Sequence, residues 1–286
     1  MKKGNAKSIR AALMKISDRE QTKFQFVIIR YFHERLLYRI AKSKYASNFI
    51  LKGGELLYAI EGFQIRPTTD IDFLAKQISN DKEEIKQVFR TICDVKYNED
   101  CVIFDVGNIE TTDIQENVKY SGVRVFVNAM LDTIRQRLQI DIGFNDIITP
   151  APINLSYPVL LNELAAPQLN AYSIETVIAE KFHTMISLGT LNSRMKDFYD
   201  VYILLKNNEI NNVNLHDSIL QTFKNRNTFF VENHELFSPT FYENPNFQTM
   251  WKAFLRKMKI LDDLEFPFVV KEILQHLQPV YINLSN

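Results

Sequence analysis

Cysteine is nearly missing from this chain. Cys93 and Cys101 are the two it carries, too few and too isolated for a disulfide scaffold or a zinc site, so both are expected to be plain buried or half-buried thiols. The histidines His33, His183, His216, His234 and His276 show no paired ligand spacing, which excludes the usual His–Cys metal clusters and leaves surface or packing roles. Uninterrupted apolar runs stop short of the roughly eighteen residues a membrane span needs, and the N-terminus lacks the apolar stretch of a secretory signal. A cytoplasmic protein without a membrane partner is expected. Internal repeats, low-complexity tracts and long linkers are absent as well. Net charge is absent on average, with 34 Lys and Arg against 34 Asp and Glu, which says nothing about partners until it is resolved along the chain.

Resolved, the charge is uneven. Up to Tyr45 there are twelve basic residues (Lys2, Lys3, Lys7, Arg10, Lys15, Arg19, Lys23, Arg30, Arg35, Arg39, Lys42, Lys44) against Asp18, Glu20 and Glu34, a net of about +9, as a polyanion-binding surface would show. The rest of the chain is acidic by the same amount. Phe24, Val27, Ile28 and Tyr31 supply an apolar stripe in this segment, so the alternative is a pair of packed helices whose polar faces happen to be basic.

Pattern switches organise the remainder. Helical spacing dominates to about residue 46. Strand-like runs follow at Phe49–Leu51, Ile71–Leu74, Cys101–Val106, Val123–Asn128 and Leu138–Ile142, with helices expected at 54–61 and 80–92. The mixture points to an α+β core with a mixed sheet and helices packed on it. Thr149-Pro150-Ala151-Pro152, then Pro158 and Pro167, break regular structure and mark an expected boundary: a core over 1–150 with basic N-terminal helices, and a helical domain over 151–286. With a hydrophobic fraction of 46 %, 286 residues suffice for two modest domains.

The densest chemistry lies between residues 48 and 73. Asn48-Phe49-Ile50-Leu51-Lys52 reads as a buried strand ending at Gly53-Gly54, after which Leu56, Leu57 and Ile60 recur at helical spacing. A strand–glycine–helix turn offers free backbone N–H groups and a positive helix end, which suit a triphosphate. Arg66-Pro67-Thr68-Thr69-Asp70-Ile71-Asp72 follows. Side chains alternate faces along a strand, so Asp70 and Asp72 point one way while Ile71 and Phe73 point into the core. Leu138-Gln139-Ile140-Asp141-Ile142-Gly143 alternates in the same manner and exposes Asp141. Three strand carboxylates are the ligand set that metal-assisted phosphoryl chemistry uses. A lone glycine pair is more often an ordinary turn, and a lone Asp-X-Asp a solvated strand edge; the conjunction favours a divalent-ion site.

The second half carries charges in unusual places. Ser173 is a suitable N-cap for a helix through Ser187 with a stripe of Ile174, Val177, Ile178, Phe182 and Met185. Lys181 falls inside that stripe, where it needs a negative partner or a ligand phosphate. After a turn at Gly189 and Asn192, Phe198, Val201, Tyr202 and Leu205 face a core while Asp197 and Asp200 share another face near Arg194 and Lys196. Capping and ordinary ion pairing account for much of this pattern. Trp251, Phe229 and Phe230 are expected in the core.

Taken together, Gly53-Gly54, the Arg66–Asp72 motif, Ile140-Asp141-Ile142-Gly143, Lys181 in Thr-Val-Ile-Ala-Glu-Lys-Phe, and Arg194-Met195-Lys196-Asp197-Phe198-Tyr199-Asp200 resemble the nucleotidyltransferase toxins of type IV toxin–antitoxin and abortive-infection systems, the AbiE and MenT kind. The likeness runs from the first glycine pair to the Thr222–Arg226 region. It implies a polymerase-beta-like nucleotidyltransferase core followed by an α-helical domain, Mg²⁺ held by Asp70, Asp72 and Asp141, and a nucleoside triphosphate as substrate. It implies catalytic roles for those three acids with Lys181 and Asp197. Gly53, Gly54, Thr69, Lys181, Arg194, Lys196 and Asp200 are its nucleotide-binding candidates. Some members of that family add nucleotides to tRNA and halt translation, so RNA, tRNA above all, is the implied acceptor and a separately encoded antitoxin the implied protein partner. Glu55 departs from the pattern, which more often has a small or neutral residue after the glycines. A protein or small-molecule acceptor, or a non-catalytic nucleotide-binding module, is the alternative.

Overall fold

The computed structural model describes residues 5–117, 120–231, 233–260 and 263–285. Lys2 and Lys3 of the basic segment lie outside them. The chain forms two compact units, one comprising residues up to Asn145 with Ile153–Ala171, the other Asp146–Pro152 with Tyr172–Asn286.

The first unit begins with α1 (Ala6–Arg19) and α2 (Phe24–Lys42). Strand β1 (Phe49–Lys52) leads directly into α3 (Gly53–Glu61), then β2 (Asp70–Ala75) and α4 (Lys82–Cys93). The sheet continues with β3 (Ile103–Phe104), β4 (Glu110–Asn117), β5 (Tyr120–Leu131), β6 (Ile134–Phe144), β7 (Ile153–Ser156) and β8 (Gln168–Ala171). Its order is β3-β5-β6-β2-β1-β8-β7, with β4 also on β5. The pairs β2–β6 and β1–β8 are parallel and the others antiparallel, so this is a mixed sheet. Ile71, Phe73, Leu138, Ile140 and Ile142 are buried, and Phe73, Phe49 and Phe89 of α4 pack edge to face on one side of the sheet. Asp70 and Asp72 of β2 and Gln139 and Asp141 of β6 are left half-buried on the other side.

Two expectations about strands change here. The strand expected over Cys101–Val106 shrinks to Ile103–Phe104, because Cys101 takes a left-handed conformation after a 3₁₀ turn at Asn98–Asp100 and a second such turn starts at Val106. The stretch after residue 150, expected to be nearly all helical, contains β7 and β8, and β8 pairs with β1. These strands are four residues each, too short for their periodicity to stand out between prolines.

The basic segment also differs. α2 is buried on every side from Val27 to Ile40, and its arginines are core residues rather than a polyanion-binding surface. Arg30 stacks on the rings of Tyr58 and Phe63. Arg35 pairs with Glu34 at 2.5 Å and donates to the Ala165 carbonyl at 3.3 Å. Arg39 forms a buried ion pair with Asp100 and also donates to the Tyr97 carbonyl. Exposed basic side chains remain at Lys7, Lys15, Arg19, Lys23, Lys42 and Lys44.

The second unit is helical: α5 (Ile174–Leu188), α6 (Met195–Asn207), α7 (Asn212–Asn225), α8 (Pro239–Tyr242), α9 (Pro245–Met258) and α10 (Phe266–Ser285). Ser173 caps α5 by accepting from the Thr176 N–H, as its sequence position implied. Trp251 is buried and donates to the Leu264 carbonyl at 2.6 Å, beside Tyr199, Phe254 and Phe266. Phe230 stacks on Phe223. Phe229, expected in the core, is 86 % exposed, because consecutive residues of an extended segment point opposite ways.

Candidate active site

Parallel pairing of β2 with β6 sets Asp72 opposite Asp141 and Asp70 opposite Gln139. Cross-strand partners project to the same face, so three carboxylates from two strands converge. Oxygens of Asp70, Asp72 and Asp141 lie within 4.8 Å of one another, and no other such group of acids, histidines or cysteines converges among the described residues. All three side chains are half-buried. Hard oxygen donors on rigid strands, open to solvent on one side, are what Mg²⁺ or Mn²⁺ takes as partial ligands while keeping positions for water and phosphate.

The glycine pair is explained by the close approach of Asp72 and Thr68. Gly53 has φ +66°, and a Cβ there would sit 1.9 Å from Asp72 Oδ2. At Gly54 a Cβ would sit 2.6 Å from the Thr68 hydroxyl. Only a bare backbone lets the first turn of α3 lie against the acid strand. Thr68 in turn donates to Asp70 Oδ1 at 2.5 Å, while Thr69 is exposed. Glu55 stands in the first turn of α3. It is buried, 2.7 Å from His33 Nδ1, and accepts from the Tyr157 hydroxyl. Burial alone would raise its pKa; the facing His33 overrides that and holds the carboxyl below its ordinary value. The departure at Glu55 therefore anchors the start of α3 through His33 and Tyr157.

Two polar neighbours of Asp141 were not singled out from sequence. Arg124 of β5 donates from Nε to Oδ1 at 2.8 Å and from Nη2 to Oδ2 at 2.7 Å, and Gln139 Nε2 lies 3.2 Å from each oxygen. The signal was available: in Val123-Arg124-Val125-Phe126-Val127 the arginine alternates with buried valines, which puts it on the polar face.

In the second unit Lys181 meets two acids of α6, with Nζ 2.7 Å from Asp197 Oδ1 and 2.9 Å from Asp200 Oδ2. Arg194 Nε reaches Asp197 Oδ2 at 2.7 Å. The lysine in the apolar stripe thus has its negative partners. Burial would raise the Asp197 pKa, but Lys181 and then Arg194 bring it down to about 2. Lys196, named with this group from sequence, is exposed. Arg226 joins Glu180 at 3.4 Å and Asp146 at 3.6 Å. His183 beside it makes a 2.7 Å hydrogen bond with Thr228, and burial followed by the Arg226 charge lowers its pKa to about 4.

Residues 35–272 match the sequence profile of the nucleotidyl transferase AbiEii toxin family of type IV toxin–antitoxin systems. The chain belongs to the AbiEii family. That span takes in Asp70, Asp72, Asp141 and the Lys181–Asp197–Asp200 cluster, and the fold is correspondingly α+β, a nucleotidyltransferase core with a mixed sheet followed by helices. Two Helicobacter pylori crystal structures are similar in fold. One, described as JHP933, shares 14 % identity over 91 % of this chain and 94 % of its own, with a TM-score of 0.51. The other, provisionally described as a nucleotidyltransferase, shares 15 % identity over 91 % and 96 %, with a TM-score of 0.49. No curated protein sequence matches the chain. Like its family, this AbiEii protein is a nucleotidyltransferase. Its thiols are free, and burial pushes Cys93 up to about 12 and Cys101 upward as well, so neither is a poised nucleophile. No described helix is long and apolar enough to cross a membrane.

Proposed function

We propose that this AbiEii chain is a Mg²⁺-dependent toxin that transfers a nucleotide from a nucleoside triphosphate to an RNA hydroxyl, tRNA being the preferred acceptor, and thereby blocks translation and growth in abortive phage defence. It would act in the cytoplasm under the restraint of a separately encoded antitoxin. The observation that carries the chemistry is the convergence of Asp70, Asp72 and Asp141 beside the glycine turn.

These three residues would hold the metal, Asp70 and Asp72 on the triphosphate side and Asp141 toward the acceptor hydroxyl. Bound there, a divalent ion polarises phosphate oxygens and lowers the pKa of a hydroxyl. Thr68 fixes the Asp70 carboxylate. Gly53 and Gly54 offer backbone N–H groups at a helix start, where phosphate oxygens are favoured. Phosphoryl transfer has a loose transition state, so positioning and charge neutralisation are the protein's main contributions. Within the second unit, Lys181, held by Asp197 and Asp200, and Arg194 are the cationic side chains proposed for nucleotide binding. The acceptor oxygen bonds to the α-phosphorus as the bond to pyrophosphate breaks.

An RNA acceptor is supported by Lys7, Lys15, Arg19 and Lys23, all exposed on or just after α1. Burial of Arg30, Arg35 and Arg39 removes three of the charges that first suggested it, and that favours, as a second reading, a protein or small-molecule acceptor. Incubation of the purified chain with each labelled nucleoside triphosphate, Mg²⁺ and either total RNA or total protein separates the two. Label on small RNA, absent with Asp70→Ala, is expected; label on protein alone would replace RNA as acceptor, and no label in any fraction would remove the transferase assignment.

A further inference from the structure

A single cross-strand row crosses the polar face of the sheet: Lys52 of β1 opposite Asp72 of β2, Asp72 opposite Asp141 of β6, Asp141 opposite Arg124 of β5, and Arg124 opposite Thr112 of β4. The charges run plus, minus, minus, plus. Within this row the guanidinium of Arg124 closes on Asp141 with both arms, at 2.8 and 2.7 Å, and Gln139 adds a third donor at 3.2 Å. A fork of this kind fixes both the plane and the position of a carboxylate. Asp70, by contrast, is held by a hydroxyl.

Three carboxylates gathered within 4.8 Å repel one another strongly, and in a half-buried setting the repulsion is only partly screened. A fixed cation beside one of them allows the cluster to persist without an ion. The same cation opposes a divalent ion approaching that carboxylate, both by repulsion and by occupying its oxygens.

Resting on the metal-site reading above, we propose that Arg124 is a positioning residue that acts through Asp141: it is a resident counter-cation of the acidic cluster, it holds Asp141 within reach of Asp70 and Asp72, and it weakens the engagement of a divalent ion by Asp141. Asp141 engages fully when the negative charge of a bound triphosphate has raised the local demand for cations. The metal is thereby tied to the presence of substrate, and unproductive loading is limited.

The test is a Mn²⁺ titration of the full chain without nucleotide, followed by the paramagnetic resonance signal of unbound Mn²⁺, together with thermal denaturation at each Mn²⁺ concentration. Arg124→Met removes the charge and keeps the aliphatic stem. It should bind Mn²⁺ about tenfold more tightly than the unaltered chain or better, and show the larger rise in Tm on adding Mn²⁺. Arg124→Gln, which keeps a donor to Asp141 without the charge, should shift affinity in the same direction and serves if the Met variant does not fold. Arg124→Lys, with the charge but not the fork, should leave affinity near that of the unaltered chain while losing most transfer activity. Unchanged or weaker Mn²⁺ binding in the Met or Gln variant, with binding abolished in Asp70→Ala, would overturn the role of Arg124 and leave the metal site standing. Absence of any Asp70-dependent Mn²⁺ binding in the unaltered chain would overturn the metal site and this proposal with it.

Discussion

Asp70 and Gly53 show how differently two neighbouring positions respond to the same small change. Asp70→Ala removes a half-buried carboxylate of the proposed metal site that no core packing depends on, so transfer should be lost while stability stays within the range of ordinary surface substitutions, about 0.5 kcal/mol. Gly53→Ala adds one methyl group, yet it forces a side chain into φ +66° and onto Asp72 Oδ2. It should cost at least about 1 kcal/mol of stability and most of the activity, because either the turn or Asp72 must move. Wild-type turnover in Gly53→Ala would show that the start of α3 does not abut the acid strand. Lys181 belongs to a third class. Its partners Asp197 and Asp200 are almost completely buried, so Lys181→Met leaves carboxylates in the interior with part of their compensation gone. A loss of about 3–5 kcal/mol is expected, measured by denaturant unfolding alongside activity. Activity lost with stability unchanged would mean that the ion pair is structurally idle.

α2 and α1 separate two meanings of a basic sequence. In α2 the arginines are the internal counter-charges of Glu34 and Asp100 and stacking partners of aromatic rings. Arg39→Met should therefore destabilise the first unit by about 3–5 kcal/mol, through the uncompensated buried Asp100, and it would report nothing about nucleic acid. α1 and the turn after it carry most of the exposed basic charges of this segment, the others being Lys42 and Lys44 at the end of α2. Replacing Lys7, Lys15 and Lys23 by Glu should leave the fold intact, weaken RNA binding and flatten its dependence on salt, since fewer counterions would be released on association. Filter binding at several salt concentrations measures this, and an unaltered slope would take α1 out of the RNA interface. Composition alone could not make this distinction, because α2 shows the net charge of a surface helix with the burial of a core one. Alternation in β2 and β6, by contrast, was legible before any coordinates. Period-2 burial fixes which carboxylates share a face whatever the strand's neighbours are.

At the scale of the whole molecule, pH links the buried charges to stability. The folded His183 has a pKa of about 4 against an ordinary 6.5, so below pH 6.5 the unfolded chain takes up a proton that the folded chain refuses. Stability is fully present above about pH 6.5 and falls as the pH drops toward 4, by about 2–3 kcal/mol. Asp197, held at about 2 by Lys181 and Arg194 against the effect of burial, adds a second loss that begins below about pH 4 and continues toward 2. Urea midpoints from pH 7 to 4 should decline in the unaltered chain and decline less in His183→Gln, which keeps a hydrogen-bonding partner for Thr228 but does not titrate. Equal slopes in the two proteins would remove His183 as the source.

The acid faces of β2 and β6, the glycine turn and the lysine in an apolar helical stripe were legible in the sequence, because each depends on local spacing, and those motifs carried the resemblance to the family; that Asp141 meets Asp70 and Asp72 rests on the parallel pairing of β2 with β6. What only the tertiary structure decided were the partners that come from elsewhere in the chain. Arg124 reaches Asp141 because β5 and β6 pair in one register of several that alternation alone would permit. Glu55 is an anchor because His33 and Tyr157, far from it in sequence, close on it. Arg30, Arg35 and Arg39 are interior because Glu34 of α2 itself pairs with Arg35 and the elements packed around α2 supply Asp100, Tyr58 and backbone carbonyls to receive the rest. A charged side chain is read as exposed until its partner is known, and the partner is a property of the fold.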